Sequence, residues 1–166
     1  MKTIKKISLG AFFAAVITVF TAYICHIPFG VNGGYIHFGD TLIYLAASLL
    51  PTPYAVMAAA VGAGLADLLT APVWVIPSVI IKSLICLSFT NKKAKIICTR
   101  NIVALFIGAV ITPVGYAVAE TVIFGNWIVA VTSMPANLFQ ATASAIFFIL
   151  MGFALDKAKI NDKIKL

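Results

Sequence analysis

Charged residues are scarce in this chain of 166 residues: only 10% are Asp, Glu, Lys or Arg, whereas an ordinary soluble domain has roughly 25%. Hydrophobic residues make up 62% of the chain. This balance excludes a soluble globular domain and predicts an all-α membrane protein, because helices satisfy their own backbone polar groups in lipid. The length allows about six spans of ~20 residues in a single domain.

Motifs of catalytic and cofactor sites are also missing. There is no GxxxxGK[ST] phosphate-binding loop, so we expect the chain not to energise transport by itself. There is no HExxH motif, no Cys/His cluster and no GxSxG nucleophile elbow. Cys25, Cys86 and Cys98 lack metal-ligand spacing, and we interpret them as apolar residues or reduced thiols. We therefore predict that the protein is not an enzyme and has no metal and no cofactor.

The basic residues predict a topology, because cationic loops stay on the cytoplasmic side of a membrane. Eleven of the twelve lie in three patches: Lys2, Lys5 and Lys6; Lys92, Lys93, Lys95 and Arg100; and Lys157, Lys159, Lys163 and Lys165. Apolar runs between breaks predict a compact bundle of six transmembrane helices, at about 7–27, 38–51, 54–70, 73–90, 101–124 and 128–153. Both termini are then cytoplasmic, in a multi-pass protein of the cell membrane. This topology also explains the net charge of +7 without nucleic-acid binding.

Two segments have unusual composition. The second span, 38–51, has about 14 residues and is only ~21 Å long, and glycine-rich segment 28–37 precedes it. We expect 28–37 to be either a loop that folds over the outer face or a plain connector. The third span, 54–70, is dense in Ala and Gly, which predicts close packing against a neighbouring helix.

Four charged residues, Asp40, Asp67, Lys82 and Glu120, fall within or beside the predicted spans. A charge at mid-membrane costs at least ~2.5–3.5 kcal/mol on insertion scales, so such residues usually face a cavity or a partner. The topology places all four in the outer half. The simplest ion pair joins Asp67 to Lys82 across the third and fourth spans.

Polar and aromatic residues extend this cluster into a predicted outward-facing pocket. Ser133, Asn137, Gln140 and Ser144 share one helical face. The predicted substrate-binding residues are Tyr35, His37, Asp40, Asp67, Trp74, Lys82, Tyr116, Glu120, Trp127, Asn137 and Gln140. They suit a small planar solute with a heteroaromatic ring. For each aromatic residue taken singly, an interfacial belt is the alternative.

The run GGYIHFGDTLIYLAASLLPTPYAVMAAAVGAGLADLLTAPVWVIPSVIIKSL (33–84) resembles the substrate-binding S component of energy-coupling factor (ECF) transporters. Gly-Asp at 39–40, Ala-Asp at 66–67 and Ile-Ile-Lys at 80–82 are similar to the subgroup for riboflavin, hydroxymethylpyrimidine or pyridoxine uptake. The resemblance implies capture of a vitamin or precursor outside the cell. It also implies delivery through a transmembrane coupling subunit and two ATPase subunits.

Ala11 and Ala15 match the Ala-x-x-x-Ala motif with which the first helix of that family docks on the coupling subunit. The family resemblance also makes segment 28–37 a lid. Two alternatives remain: a self-sufficient, proton-coupled carrier with Asp67 or Glu120 as its proton site, and a small intramembrane enzyme using His37 and Asp40.

Overall fold

The computed structural model describes residues 2–24, 26–29 and 34–164, which are predominantly helical. The elements are α1 (Lys2–Ala22), β1 (Ile27–Phe29), β2 (Gly34–Ile36), α2 (Gly39–Leu49), α3 (Thr52–Thr70), α4 (Val75–Ser88), α5 (Thr99–Phe124), α6 (Trp127–Lys157) and α7 (Ile160–Ile164). A 3-10 turn, Pro72–Trp74, joins α3 to α4. Each of the six predicted apolar segments therefore coincides with one of the helices α1 to α6, to within a few residues at most ends.

Among the described residues, four helices are long and apolar enough to cross a membrane: α1, α3, α5 and α6. The apolar stretch Pro72–Ser88 is shorter, and α2, at the position of the second predicted span, has only 11 residues. Large apolar side chains point outward, including Val122 at 79% exposed and Phe106 at 72%. Such a surface suits lipid rather than water. The protein is therefore an integral membrane protein built from helices, with one small hairpin.

The short helix α2 lies in the centre of the bundle, where every one of its residues is buried. It packs against α1, α3, α4 and α6. Its first residue, Gly39, must be a glycine because a Cβ there would lie 2.0 Å from Oγ1 of Thr21 on α1. A helix too short to span the bilayer is tolerated here because other protein segments cover it.

The small residues of α3 let α1 approach closely, as the sequence predicts. A Cβ on Gly62 would lie 2.8 Å from Cβ of Ile17. Ala59 and Ala66, on the same helix, are fully buried. Close backbone approach of this kind stabilises helix pairs in lipid, where no hydrophobic effect drives them together.

One end of the bundle is held by two polar residues on α5 and α6. The side chain of Asn101 accepts a hydrogen bond from the Thr90 amide at 2.8 Å and donates to the Thr90 and Ile96 carbonyls. Asp156 accepts hydrogen bonds from the Ile96 and Ile97 amides at 2.7 and 3.0 Å. The basic loop before α5 therefore lies beside the basic end of α6. Which side of the membrane they face remains a prediction.

The cysteines that the structure describes agree with the sequence interpretation. Cys86 is buried, Cys98 is half-buried, and both are free. Cys25 lies outside the described residues.

Candidate ligand-binding site

The connection between α1 and α2 is a two-stranded antiparallel hairpin, in which Pro28 pairs with Tyr35. The Tyr35 ring stacks on His26 with their centroids 4.0 Å apart. Residues 30–33 of the predicted lid lie outside the described part of the chain. The described part is more than a plain connector, because Tyr35 and His37 both contribute to the wall of a cavity.

That cavity has a volume of about 50 Å³ and lies between the hairpin and the helices. Its lining residues come from the hairpin, α3, the 3-10 turn, α5 and α6: Tyr35, His37, Asp67, Trp74, Tyr116, Glu120, Asn137 and Gln140. All eight belong to the set predicted from the sequence. The polar stripe on α6 faces this interior, where Gln140 and Ser144 are buried.

A buried ion pair lies beneath the cavity, between Lys82 on α4 and Asp40 on α2. The Lys82 Nζ is 2.8 Å from Oδ1 of Asp40 and donates to Oδ2 at 2.9 Å. Gln140 donates to the same Oδ2 at 3.1 Å. The Lys82 Nζ also lies 5.2 Å from the centre of the Tyr116 ring, within range of a cation–π contact. Neither Asp40 nor Lys82, both predicted to bind the substrate, lines the cavity. Each instead contacts a residue that does: Asp40 contacts Gln140, and Lys82 contacts Tyr116.

The predicted pair of Asp67 with Lys82 is therefore wrong. Asp67 lies about four residues and Lys82 about ten residues from the turn between α3 and α4, a difference in depth of ~9 Å. The buried helix α2 brings Asp40 to the level of Lys82 instead. Asp67 has a different partner, since the Tyr35 hydroxyl donates to its Oδ1.

His37 is held in the neutral state. Its ring Nδ1 accepts a hydrogen bond from the Gly39 amide at 3.0 Å, and its own amide donates to Oε1 of Gln140 at 3.3 Å. Burial lowers the pKa of His37 to about 4 and outweighs the opposing effect of Asp40. His37 therefore carries no charge near pH 7.

Two buried polar atoms of cavity residues have no hydrogen-bond partner in the part of the chain that the structure describes: Oδ2 of Asp67 and Nε1 of Trp74. These residues are only 3% and 4% exposed. Burial, and then the adjacent Asp67 carboxylate, raises the pKa of Tyr35 well above its ordinary value, so its hydroxyl stays protonated and can donate to Asp67. Native proteins rarely leave such groups unsatisfied, and a ligand or water is the usual explanation.

Glu120, on α5, also lines the cavity, is buried and accepts a hydrogen bond from the Ser133 hydroxyl. One contributor was missed at the sequence level: the Ser78 hydroxyl lies 2.7 Å from the Tyr116 hydroxyl and fixes that ring. Ser78 lies four residues before Lys82 on α4, and that helical spacing could have identified it.

Besides Asp40 and Lys82, three further predicted residues lie away from the cavity wall. Trp127 is in the first turn of α6, 66% exposed, and does not line the cavity. Its position fits the alternative of an interfacial aromatic residue. Ala11 and Ala15 are both exposed on α1, and Ala11 borders an apolar groove of about 250 Å³ between α1 and α3.

Comparison with known proteins shows which family this chain resembles. A family model described as "ECF-type riboflavin transporter, S component" matches residues 1–157. The chain belongs to this family. An "Uncharacterized protein in gap 3'region" of Pyrococcus woesei is 27% identical over 139 residues, which cover 82% of this chain and 93% of that protein. The family consists of substrate-binding components of transporters and is not an enzyme family.

Proposed function

We propose that this S component captures a small, water-soluble vitamin or vitamin precursor for an ECF-type ABC importer. The observation that carries the proposal is the cavity beneath the hairpin, where a buried acceptor atom of Asp67 and a buried donor atom of Trp74 have no partner among the described residues. Membership of the family supports it. The three aromatic rings of the wall suit a planar heteroaromatic solute.

In this proposal the chain crosses the cell membrane six times, with the short α2 buried among the other helices in the second crossing. Both termini are cytoplasmic, and the cavity opens outward. The three basic patches support this orientation. The geometry is consistent with it: His37 and Asp40 lie at the cavity end of α2, whereas Ser48, which accepts from Asn101, lies at the opposite end. The basic loop beside Asn101 is therefore separated from the cavity by the length of α2, ~16 Å.

Delivery of the solute requires partners in this proposal: a transmembrane coupling subunit and two ATPase subunits. The absence of a nucleotide-binding loop from the sequence supports such a division of labour. The exposed face of α1 at Ala11 and Ala15, beside an apolar groove, is a suitable docking surface because small side chains let another helix approach closely.

Binding and uptake measurements test the proposal together. The purified protein in nanodiscs should bind at least one member of a vitamin and precursor panel, including riboflavin, by calorimetry. Liposomes should accumulate that solute only when the coupling subunit, the ATPases and ATP are also present. Failure to bind any member would overturn the proposal. Uptake by this chain alone, driven by a pH gradient, would instead establish the proton-coupled carrier.

The docking surface has its own test. Ala11→Trp and Ala15→Trp should abolish ATP-driven uptake and leave solute affinity unchanged, because both side chains are exposed on α1 and neither lines the cavity. Phe12→Trp is the matched control, since Phe12 is 60% exposed on the same helix and already large. Normal uptake by both alanine variants would exclude this face as the docking site.

A further inference from the structure

The charges around the cavity do not balance. Asp67 and Glu120 both line it and are only 3% and 4% exposed, yet each has a hydroxyl group rather than a cation as its hydrogen-bond partner. None of the eight lining residues is Lys or Arg. The Nζ of the nearby Lys82 contacts both carboxylate oxygens of Asp40 instead. Within the described residues, the cavity wall therefore has two acidic groups and no cation to compensate them.

The undescribed residues of this region do not supply the missing charge. Residues 30–33 are Gly-Val-Asn-Gly, and residue 25 is Cys, so none of them is basic. Burial keeps His37 neutral near pH 7. A buried carboxylate is strongly destabilising unless a cation or hydrogen bonds compensate its charge, and a buried carboxyl group without a cation tends to take up a proton instead. A cationic ligand would supply the absent partner.

The unsatisfied atoms define what the ligand must offer. Oδ2 of Asp67 needs a donor, and Nε1 of Trp74 needs an acceptor. The rings of Tyr35, Trp74 and Tyr116 present π faces to the same space, which attract a cation as well as a planar ring. The volume of about 50 Å³ is well below the roughly 300 Å³ or more of a typical ligand pocket, so the walls must move apart to admit a solute, and by less for one ring than for three fused rings.

We propose that the site selects a single-ring heteroaromatic solute bearing an ammonium or amidinium-like group, which binds between Asp67 and Glu120, and that it discriminates against neutral tricyclic rings such as that of riboflavin. This inference rests on the proposed function and specifies its substrate class. The cation donates to Oδ2 of Asp67 and to Glu120, while a ring nitrogen or hydroxyl oxygen accepts from Nε1 of Trp74.

Matched ligand pairs test the charge requirement in the intact protein. Pyridoxamine and pyridoxine differ only in an ammonium in place of a hydroxyl group. The 5-aminomethyl and 5-hydroxymethyl forms of 4-amino-2-methylpyrimidine differ in the same way. By calorimetry at pH 7, the ammonium member of at least one pair should bind at least about tenfold more tightly than its hydroxyl partner and than riboflavin, because charge-assisted hydrogen bonds are roughly twice as strong as neutral ones.

Charge-removing variants give an independent readout. Glu120→Gln and Asp67→Asn keep the shape of the side chain, and each should weaken binding of the ammonium member about tenfold or more while changing binding of the hydroxyl member less than threefold. If Asp67→Asn does not fold, Glu120→Gln alone carries the test. Equal or tighter binding of riboflavin or of the hydroxyl members would overturn this inference and leave the proposed function intact. Absence of binding across the whole vitamin panel would instead overturn the proposed function.

Discussion

The buried pair of Lys82 and Asp40 allows a sharp test of how the site is held together. Replacing Lys82 by Met keeps the length of the side chain and removes its charge. Asp40, which is fully buried, then keeps only Gln140 as a side-chain donor. At 2.8 Å and an effective dielectric constant of 20, the lost Coulomb attraction is about 6 kcal/mol, from which the cost of desolvating Lys82 must be subtracted.

We expect Lys82→Met to lower the free energy of unfolding by about 3–5 kcal/mol, the usual cost of removing one partner of a buried pair. Asp40→Asn should cost a similar amount, because it leaves the ammonium without a counter-charge. The double variant should lose much less than the sum of the two single variants, with a coupling energy of at least ~2 kcal/mol, because no unpaired charge remains.

The assay is unfolding by SDS in mixed micelles, followed by tryptophan fluorescence and far-UV circular dichroism. Trp74 is a suitable probe because it is buried in the native protein. Lys95→Met is the matched control, since Lys95 is exposed in a loop, and it should change stability by less than ~0.5 kcal/mol. A cost below ~1 kcal/mol for Lys82→Met, or a double variant as unstable as the sum of the single ones, would refute this reasoning.

Two further predictions concern the loop at the opposite end and the hairpin. Asn101→Ala should lower the free energy of unfolding by about 2–3 kcal/mol in the same assay, because it leaves the buried Thr90 amide unsatisfied. Asn126→Ala is the control; it removes only an exposed helix cap and should cost about 1 kcal/mol or less. Equal costs for the two variants would contradict the role of Asn101. For His37, the folded pKa of about 4 lies below the unfolded value of ~6.5, so between these values the unfolded state binds the proton and stability falls as the pH falls. Between pH 6.5 and pH 5 the wild type should lose about 1–2 kcal/mol more than His37→Gln, with no difference in slope above pH 7; parallel curves throughout would show that His37 is not buried in its neutral form.

The positions of the helices could be predicted because they depend on local composition. Apolar runs and the breaks between them located α1 to α6, and the dense Ala and Gly content of α3 predicted its contact with α1. The cavity wall was predictable for a related reason. In a chain with so few polar residues, each one inside an apolar run, such as Glu120 or Gln140, is costly there and indicates an interior or a ligand site.

Pairings between helices were harder to predict, because they depend on depth along the bundle. The position of Asp40 next to Lys82 follows from the burial of α2, which the sequence indicates only by its short length. Trp127 was assigned to the pocket from its depth alone, but its position around the α6 axis places its side chain on the exposed face of the helix. Asp156 gave no signal, since it lies among the lysines of the basic end, where a charge is expected.

The acidic residues of the site differ in whether a cation compensates their charge. The ion pair of Lys82 and Asp40 is internally neutral, and together with Gln140 it supports the wall. Asp67 and Glu120 differ because nothing in the described protein neutralises them. A protein that needed these residues only for its fold could have compensated them in the same way, as it does for Asp40. Two acidic side chains without counter-charge at one cavity are therefore better explained by the chemistry of the solute than by the stability of the bundle.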